Sequence, residues 1–91
     1  MTARRWLVRG RVQGVGFRYF AQREAVALGV TGWVRNMDEG RVEVFGQGNP
    51  ADLDALEGRL WQGPQWAEVR EVEVSEAAIE SSGTTFKIQL S

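Results

Sequence analysis

Apolar residues in the first third of the chain recur with two different spacings, which predict a strand followed by a helix. A short apolar run over residues 6–9 is typical of a buried strand. From Phe17 onward the apolar residues fall on one face of a helix, and Gly29 is a typical residue to end it. The glycine-rich residues 10–16 predict a loop that leads directly into this helix.

The middle of the chain predicts a β-hairpin and a second helix. Residues 30–36 and 41–45 have the apolar and alternating patterns of strands, and residues 38–40, Asp-Glu-Gly, supply the turn between them. Asn49 followed by Pro50 is a typical helix start. Three leucines with helical spacing come next, and a Gly-Pro pair ends the helix.

The last third of the chain predicts two more strands. Apolar residues alternate over residues 67–74 but change phase near Arg70 and Glu71, which indicates a β-bulge there. Alternation over residues 86–90 predicts the final strand. This order of elements predicts an α+β fold, the ferredoxin-like βαββαβ sandwich, with two helices on one face of an antiparallel sheet. We expect a single domain over residues 1–91, whose fold alone does not decide its function.

The composition restricts the chemistry that this chain can perform. None of its 91 residues is Cys or His, which excludes disulfides, thiol nucleophiles, phosphohistidine and most zinc and iron sites. We therefore expect no metal and no other cofactor. No apolar run has the length of a membrane helix, and the N-terminus lacks the apolar segment of a signal peptide. A cytoplasmic protein without a membrane partner is the expectation.

Charge is distributed unevenly along the chain, although the formal net charge is only −1. Six arginines precede Glu24, the first acidic residue, while the second half is rich in Glu and Asp. A locally positive N-terminal region could attract anions, or these arginines could simply be solvated.

Residues 12–18, Val-Gln-Gly-Val-Gly-Phe-Arg, join the first predicted strand to the first helix. A helix N-terminus offers unpaired amides, and Gly14 and Gly16 let the backbone curl so that several amides converge. Arg18 adds a planar group of donors that can bind phosphate oxygens in a bidentate way. The loop therefore predicts phosphate binding, but a simple connection whose glycines serve packing has the same composition. Known phosphate-loop patterns do not fit, and the loop offers no covalent nucleophile.

Asn36 is predicted to end a strand just before a turn, where Asn is a common turn former. Alternatively, its amide could hold a water in line for attack on a bound phosphoryl group, because an amide both donates and accepts. Without a His or Cys base, such a site would suffice only for a substrate with a good leaving group. An acyl phosphate is one, because a carboxylate leaves more easily than an alkoxide.

Two segments of the sequence resemble the two signatures of the acylphosphatase family. The first is residues 12–18, and the second is Gly-Trp-Val-Arg-Asn at residues 32–36, continuing through residues 40–44. The likeness extends to three later segments, which are residues 63–64, 69–74 and 86–88. It therefore spans nearly the whole chain.

The resemblance implies the ferredoxin-like fold and a metal-free hydrolase that cleaves acyl phosphates to a carboxylate and inorganic phosphate. It implies that Arg18 and Asn36 are catalytic, with Asn36 orienting the attacking water. The implied phosphate-binding residues contribute backbone amides or, for the last, a side chain: Gln13, Gly14, Val15, Gly16, Phe17 and Arg18. Met37 stands where many relatives have a small polar residue, which could alter the surroundings of Asn36.

The expected partners are a small-molecule acyl phosphate and inorganic phosphate, the product and a competitive inhibitor. We expect no nucleic acid partner and a monomeric chain.

Two other functions are compatible with the same fold. An equivalent module occurs as the N-terminal domain of large carbamoyl-transfer maturation factors, although a chain that ends at Ser91 favours the free enzyme. The second alternative is a regulatory or RNA-binding module. RNA binding would require exposed aromatic residues on a basic sheet face, and the acidic second half argues against it.

Overall fold

The computed structural model describes residues 1–80 and 84–90. Within these residues the predicted order of strands and helices is confirmed, and the elements have the following bounds: β1 (Thr2–Arg11), α1 (Phe17–Ala27), β2 (Thr31–Asn36), β3 (Val42–Gly48), α2 (Pro50–Gln62), β4 (Glu68–Ala77) and β5 (Phe86–Gln89). A short 3-10 helix over Asp38–Gly40 joins β2 to β3. The single domain over residues 1–91 stays a prediction, and residues 81–83 and 91 lie outside the described residues.

The strands form one sheet in the order β4-β1-β3-β2-β5. β1 pairs antiparallel with β3 and with β4, and β2 pairs antiparallel with β3. The antiparallel sheet is thus confirmed for four strands. β5 differs from the expectation, because it adds to the edge of the sheet parallel to β2, with Gly32 opposite Phe86. The sheet is therefore mixed at this edge, because β5 lies at the edge opposite β4 and runs in the same direction as β2.

The predicted β-bulge lies in β4 beside the end of β1. The register shifts between Arg9 and Gly10, and the two β4 residues opposite them are separated by Arg70, which is the extra residue. Gly10 is required at this point because its φ is +132° and a Cβ there would lie 2.1 Å from the carbonyl oxygen of Glu68. The phase change in the sequence of β4 therefore has the cause that was predicted for it.

Both helices pack against one face of the sheet and share its core. Two of the helix residues predicted from apolar spacing, Phe20 and Leu28, are only half-buried. The others are buried: Phe17, Ala21, Ala25, Leu53, Leu56 and Leu60. The bulkiest buried side chain is Trp6 of β1, whose indole N–H donates to Glu57 Oε1 of α2 over 2.9 Å. Arg4 Nη1 lies 2.7 Å from Asp54 Oδ1 of the same helix. A core aromatic and an ion pair thus attach α2 to β1.

Candidate active site

The first turn of α1 is not capped by any side chain within the described residues. Gly16 is the N-cap, with φ of 78°, and the first turn contains no acidic residue. A Cβ at Gly14 or Gly16 would meet no heavy atom within 4 Å, although both have positive φ. These glycines therefore serve the backbone conformation and not close packing. The amides of the helix start keep their hydrogen-bonding capacity and their partial positive charge.

A cleft of about 270 Å³ lies where the start of α1 meets the end of β2. Its lining brings together the two catalytic candidates, Arg18 from α1 and Asn36 from β2. Of the other predicted phosphate-binding residues, Gly14, Gly16 and Phe17 line the cleft. Gln13 and Val15 are not among the lining residues. The remaining walls are apolar or aromatic, and are formed by Val12, Tyr19, Ile88 and Leu90.

Arg18 is held in the cleft by the backbone of β5. Its Nη1 donates to the carbonyl oxygen of Gln89 over 3.2 Å. Among the described residues it takes part in no ion pair with a carboxylate. The remaining donors of the guanidinium are therefore available for an anion, and no acidic side chain among the described residues neutralises its charge.

The other N-terminal arginines have a different environment. Four of the six form ion pairs, and most of the partners come from later in the chain: Asp54 and Glu57 for Arg4, Glu43 for Arg5, Glu71 and Glu73 for Arg9, and Glu24 for Arg23. The broadly positive N-terminal region considered from the sequence is thus largely neutralised by folding. Arg11 and Arg18 take part in no ion pair among the described residues, and of these two only Arg18 lines the cleft.

Asn36 is the last residue of β2, where it pairs with Val42 of β3. The turn that follows is closed by other groups. The backbone N–H of Met37 donates to the carbonyl oxygen of Arg41 over 2.8 Å. Gln13 Nε2 donates to the carbonyl oxygens of Met37 and Arg41, each over 2.8 Å. Among the described residues, the Asn36 side chain takes part in none of these bonds, so its amide group remains available to the cleft.

Sequence reasoning missed the contribution of the C-terminal strand to the cleft. Alternation predicted Ile88 and Leu90 on one face of the last strand, but it could not show that this face reaches Arg18. That placement follows from the parallel pairing of β5 with β2. The two hydrogen bonds of the Gln13 side chain were also missed, because their acceptors are backbone carbonyls that carry no sequence signal.

The described residues limit what the cleft can do chemically. They contain no group of three or more Asp or Glu residues that could hold a metal ion. The lining presents hydrogen-bond donors, one cationic side chain and one neutral amide, and it includes no carboxylate. Such a set can bind an oxyanion and orient a neutral molecule beside it. In addition, no helix in the described part of the chain is long and apolar enough to cross a membrane.

The fold and the cleft define a small ferredoxin-like α+β protein whose candidate site presents donors to an anion. The family model described as Acylphosphatase matches residues 4–88. An acylphosphatase of Solibacter usitatus (strain Ellin6076) is 62% identical over 87 residues, covering 96% of this chain and 90% of the relative. The chain belongs to the acylphosphatase family.

Solved structures agree with this assignment. The crystal structure of acylphosphatase from Bacillus subtilis matches with a TM-score of 0.93 and 38% identity, over 98% of this chain and 99% of that chain. A structure of full-length HypF in the phosphate- and nucleotide-bound form matches with a TM-score of 0.82 and 31% identity. It covers 97% of this chain but 12% of that chain. The ferredoxin-like fold predicted from the sequence is thus confirmed.

Proposed function

We propose that this chain hydrolyses acyl phosphates with Arg18 and the loop amides binding the phosphoryl group and Asn36 positioning the water. Membership of the family supports acyl phosphate hydrolysis. The observation that carries the assignment of residues is the cleft itself. Arg18 and Asn36 come from different elements and meet at an uncapped helix start.

The chemistry requires little beyond positioning. The phosphoryl oxygens accept hydrogen bonds from the amides at the start of α1 and from the guanidinium of Arg18. Asn36 accepts from and donates to a water on the side of phosphorus opposite the acyl oxygen. The water oxygen forms a bond to phosphorus while the bond to the acyl oxygen breaks, and the electron pair leaves with the carboxylate. A proton of the water passes to a phosphoryl oxygen. Donors placed around the transferring group stabilise its charge in the transition state.

Several properties follow from this mechanism. Because the substrate's own oxygens take the proton, the reaction needs neither a protein base nor a metal. Inorganic phosphate should be a competitive inhibitor, since the cleft recognises the phosphoryl group and not the departing acid. We also expect a monomer located in the cytoplasm.

Removal of the Arg18 side chain and removal of the Asn36 side chain should have different effects on kcat and on inhibition by phosphate. Arg18→Ala should weaken phosphate inhibition and lower kcat, because Arg18 contacts the phosphoryl group before and during reaction. Lys should restore little, since it lacks the planar set of donors. Asn36→Ala should lower kcat by about 10²–10³, the usual effect of losing one aligned polar group from a transition state. Its inhibition constant for phosphate should stay close to that of the parent protein.

The measurement is steady-state hydrolysis of benzoyl phosphate with and without inorganic phosphate, with circular dichroism as the folding control. Protein dialysed against EDTA should keep its rate, and activity that returns only with Mg²⁺ would contradict metal independence. Full activity in a folded Asn36→Ala variant would reduce Asn36 to a turn residue and remove the proposed role.

A further inference from the structure

The side chain of Gln13 joins two parts of the candidate site that are distant in sequence. Its Nε2 atom donates to the carbonyl oxygens of Met37 and Arg41, and both distances are 2.8 Å. The Arg41 carbonyl also accepts from the backbone N–H of Met37. One amide group therefore uses both of its N–H donors to attach the loop before α1 to the two ends of the β2–β3 turn.

Within the turn, Arg41 Nε donates to the carbonyl oxygen of Asp38 over 3.2 Å, and Arg41 Nη2 lies 3.8 Å from Glu39 Oε1. The central residues of the turn, Asp38–Gly40, are exposed. Glu39 has φ of 65°, a left-handed conformation that costs a residue other than glycine free energy. Asn36 immediately precedes the turn, so the position of its side chain depends on the turn on one side and on the β2–β3 ladder on the other. In the part of the chain that the structure describes, the Gln13 amide supplies the hydrogen bonds that join this turn to the loop.

We propose that Gln13 is a positioning residue whose side chain holds Asn36 in register with the phosphate-binding loop. The inference rests on the function proposed above, in which Asn36 acts on the water. It also gives Gln13 a role that differs from the one expected from the sequence, where Gln13 contributes only a backbone amide. Among the described residues, Arg18 and the amides at the start of α1 make no hydrogen bond to the turn. Loss of the Gln13 side chain should therefore affect the reaction step more than phosphate binding.

The test uses the full chain and the variant Gln13→Leu, which keeps the approximate size of the side chain and removes both donors. Misplacement of a reacting group by about 1 Å can cost about 10²-fold in rate, so kcat should fall at least about tenfold. The inhibition constant for phosphate should change little. In the Asn36→Ala background, Gln13→Leu should add little further loss, because the two residues act on the same step.

Gln47→Leu is the matched control. Gln47 Nε2 also donates to a backbone carbonyl, that of Glu80, over 2.9 Å. Gln47 pairs with Thr31, which lies at the other end of β2 from Asn36. At about 3.3 Å per residue, Thr31 and Asn36 are separated by about 16 Å along the strand. This variant should lose thermal stability to a degree similar to Gln13→Leu but keep its kcat.

A second variant tests the hydrogen bonds directly. Gln13→Glu keeps the shape of the side chain but places a carboxylate against two carbonyl oxygens. Its kcat relative to the parent should rise as the pH is lowered, because the protonated acid can donate one hydrogen bond. A relative kcat that does not change with pH would count against the proposal.

The remaining outcomes distinguish failure of the positioning role of Gln13 from failure of the proposed function. If Asn36→Ala is inactive while Gln13→Leu retains the kcat of Gln47→Leu, the role of Gln13 is overturned and the proposed function stands. The same conclusion applies if the losses of the double variant are additive, or if Gln13→Leu weakens phosphate binding as much as it slows turnover. If folded Asn36→Ala is fully active, the proposed function itself fails.

Discussion

Two glycines with the same backbone conformation occupy different positions around α1. Gly16 has φ of 78°, precedes the helix and lines the cleft, while Gly29 has φ of 73° and follows the helix. A Cβ at either position would meet no heavy atom within 4 Å. A side chain therefore costs strain of about 1–3 kcal/mol at both, for the same reason. Gly16 lines the cleft and Gly29 does not, so under the proposed function only a side chain at Gly16 should also crowd the phosphoryl group.

Variants at Gly16 and Gly29 distinguish the effect of backbone strain from an effect on phosphate binding. Gly16→Val and Gly29→Val should lower the melting temperature by similar amounts. The inhibition constant for inorganic phosphate should rise for Gly16→Val only, together with a loss of kcat/KM on benzoyl phosphate. Thermal unfolding and inhibition assays on the two variants make the comparison. Equal phosphate affinity in both variants would show that the loop is only a connection between β1 and α1.

At the scale of elements, the face of the sheet away from the helices is organised around a buried carboxylate. Glu43 of β3 is 3% exposed and accepts hydrogen bonds from the Nε atoms of Arg5 in β1 and Arg35 in β2. Burial opposes ionisation of this carboxyl group. The hydrogen bonds and charges of the two arginines outweigh that effect, and the pKa of Glu43 lies below its ordinary value. One side chain thus joins three adjacent strands.

The lowered pKa determines how this cluster should respond to pH. The unfolded carboxyl group has a pKa of about 4.3, so the cluster contributes its full stability above that value and loses it as the pH falls through the folded pKa. Glu43→Gln should lower the free energy of unfolding by about 1–3 kcal/mol at pH 7. The difference from the parent should narrow as the pH falls below the unfolded pKa of about 4.3, and it should close only below the lowered pKa of the folded Glu43. Urea denaturation across this pH range gives the measurement.

Glu73→Gln is the control for the Glu43 variant. Glu73 lies 3.5 Å from Arg9, and both side chains of that pair are about half exposed. Exposed pairs contribute about 0–1 kcal/mol, so this change should have a small effect at every pH. A destabilisation of Glu43→Gln that persists unchanged in acid would show that packing and not charge holds the cluster.

Local signals predicted some elements well and could not predict others. The Asn49-Pro50 pair marks the start of α2, and the phase change at Arg70 marks the bulge, because each depends on neighbours in sequence. The partners of Glu43 and the carbonyls bound by Gln13 come from other elements, so they require the strand order to be known. The parallel pairing of β5 is similar, because an alternating pattern specifies a face and not a neighbour.

At the scale of the whole molecule, folding joins residues that the sequence keeps apart. The early arginines pair with acids from α2, β3 and β4, which leaves little excess positive charge outside the cleft. Arg18 and Asn36 line the same cleft, and their catalytic roles stay a prediction. The apolar wall of the cleft was not predicted, because the wall depends on where the last strand joins the sheet. The site therefore exists only when the entire sheet is assembled.

A site of this kind should make the stability of the whole molecule depend on phosphate. Binding to the folded state alone stabilises it by about 2.7 kcal/mol when the ligand is at 100 times its dissociation constant. For a domain of this size, that corresponds to a rise in melting temperature of roughly 10–20 °C.

The dissociation constant is taken from competitive inhibition, and the melting curves are compared with chloride at equal ionic strength. Gln47→Leu should melt lower than the parent but gain as much from phosphate, because the gain depends on affinity and not on initial stability. Arg18→Ala should lose most of the gain. If Arg18→Ala is stabilised as strongly as the parent, phosphate acts through general exclusion from the protein surface, and the cleft is not its binding site.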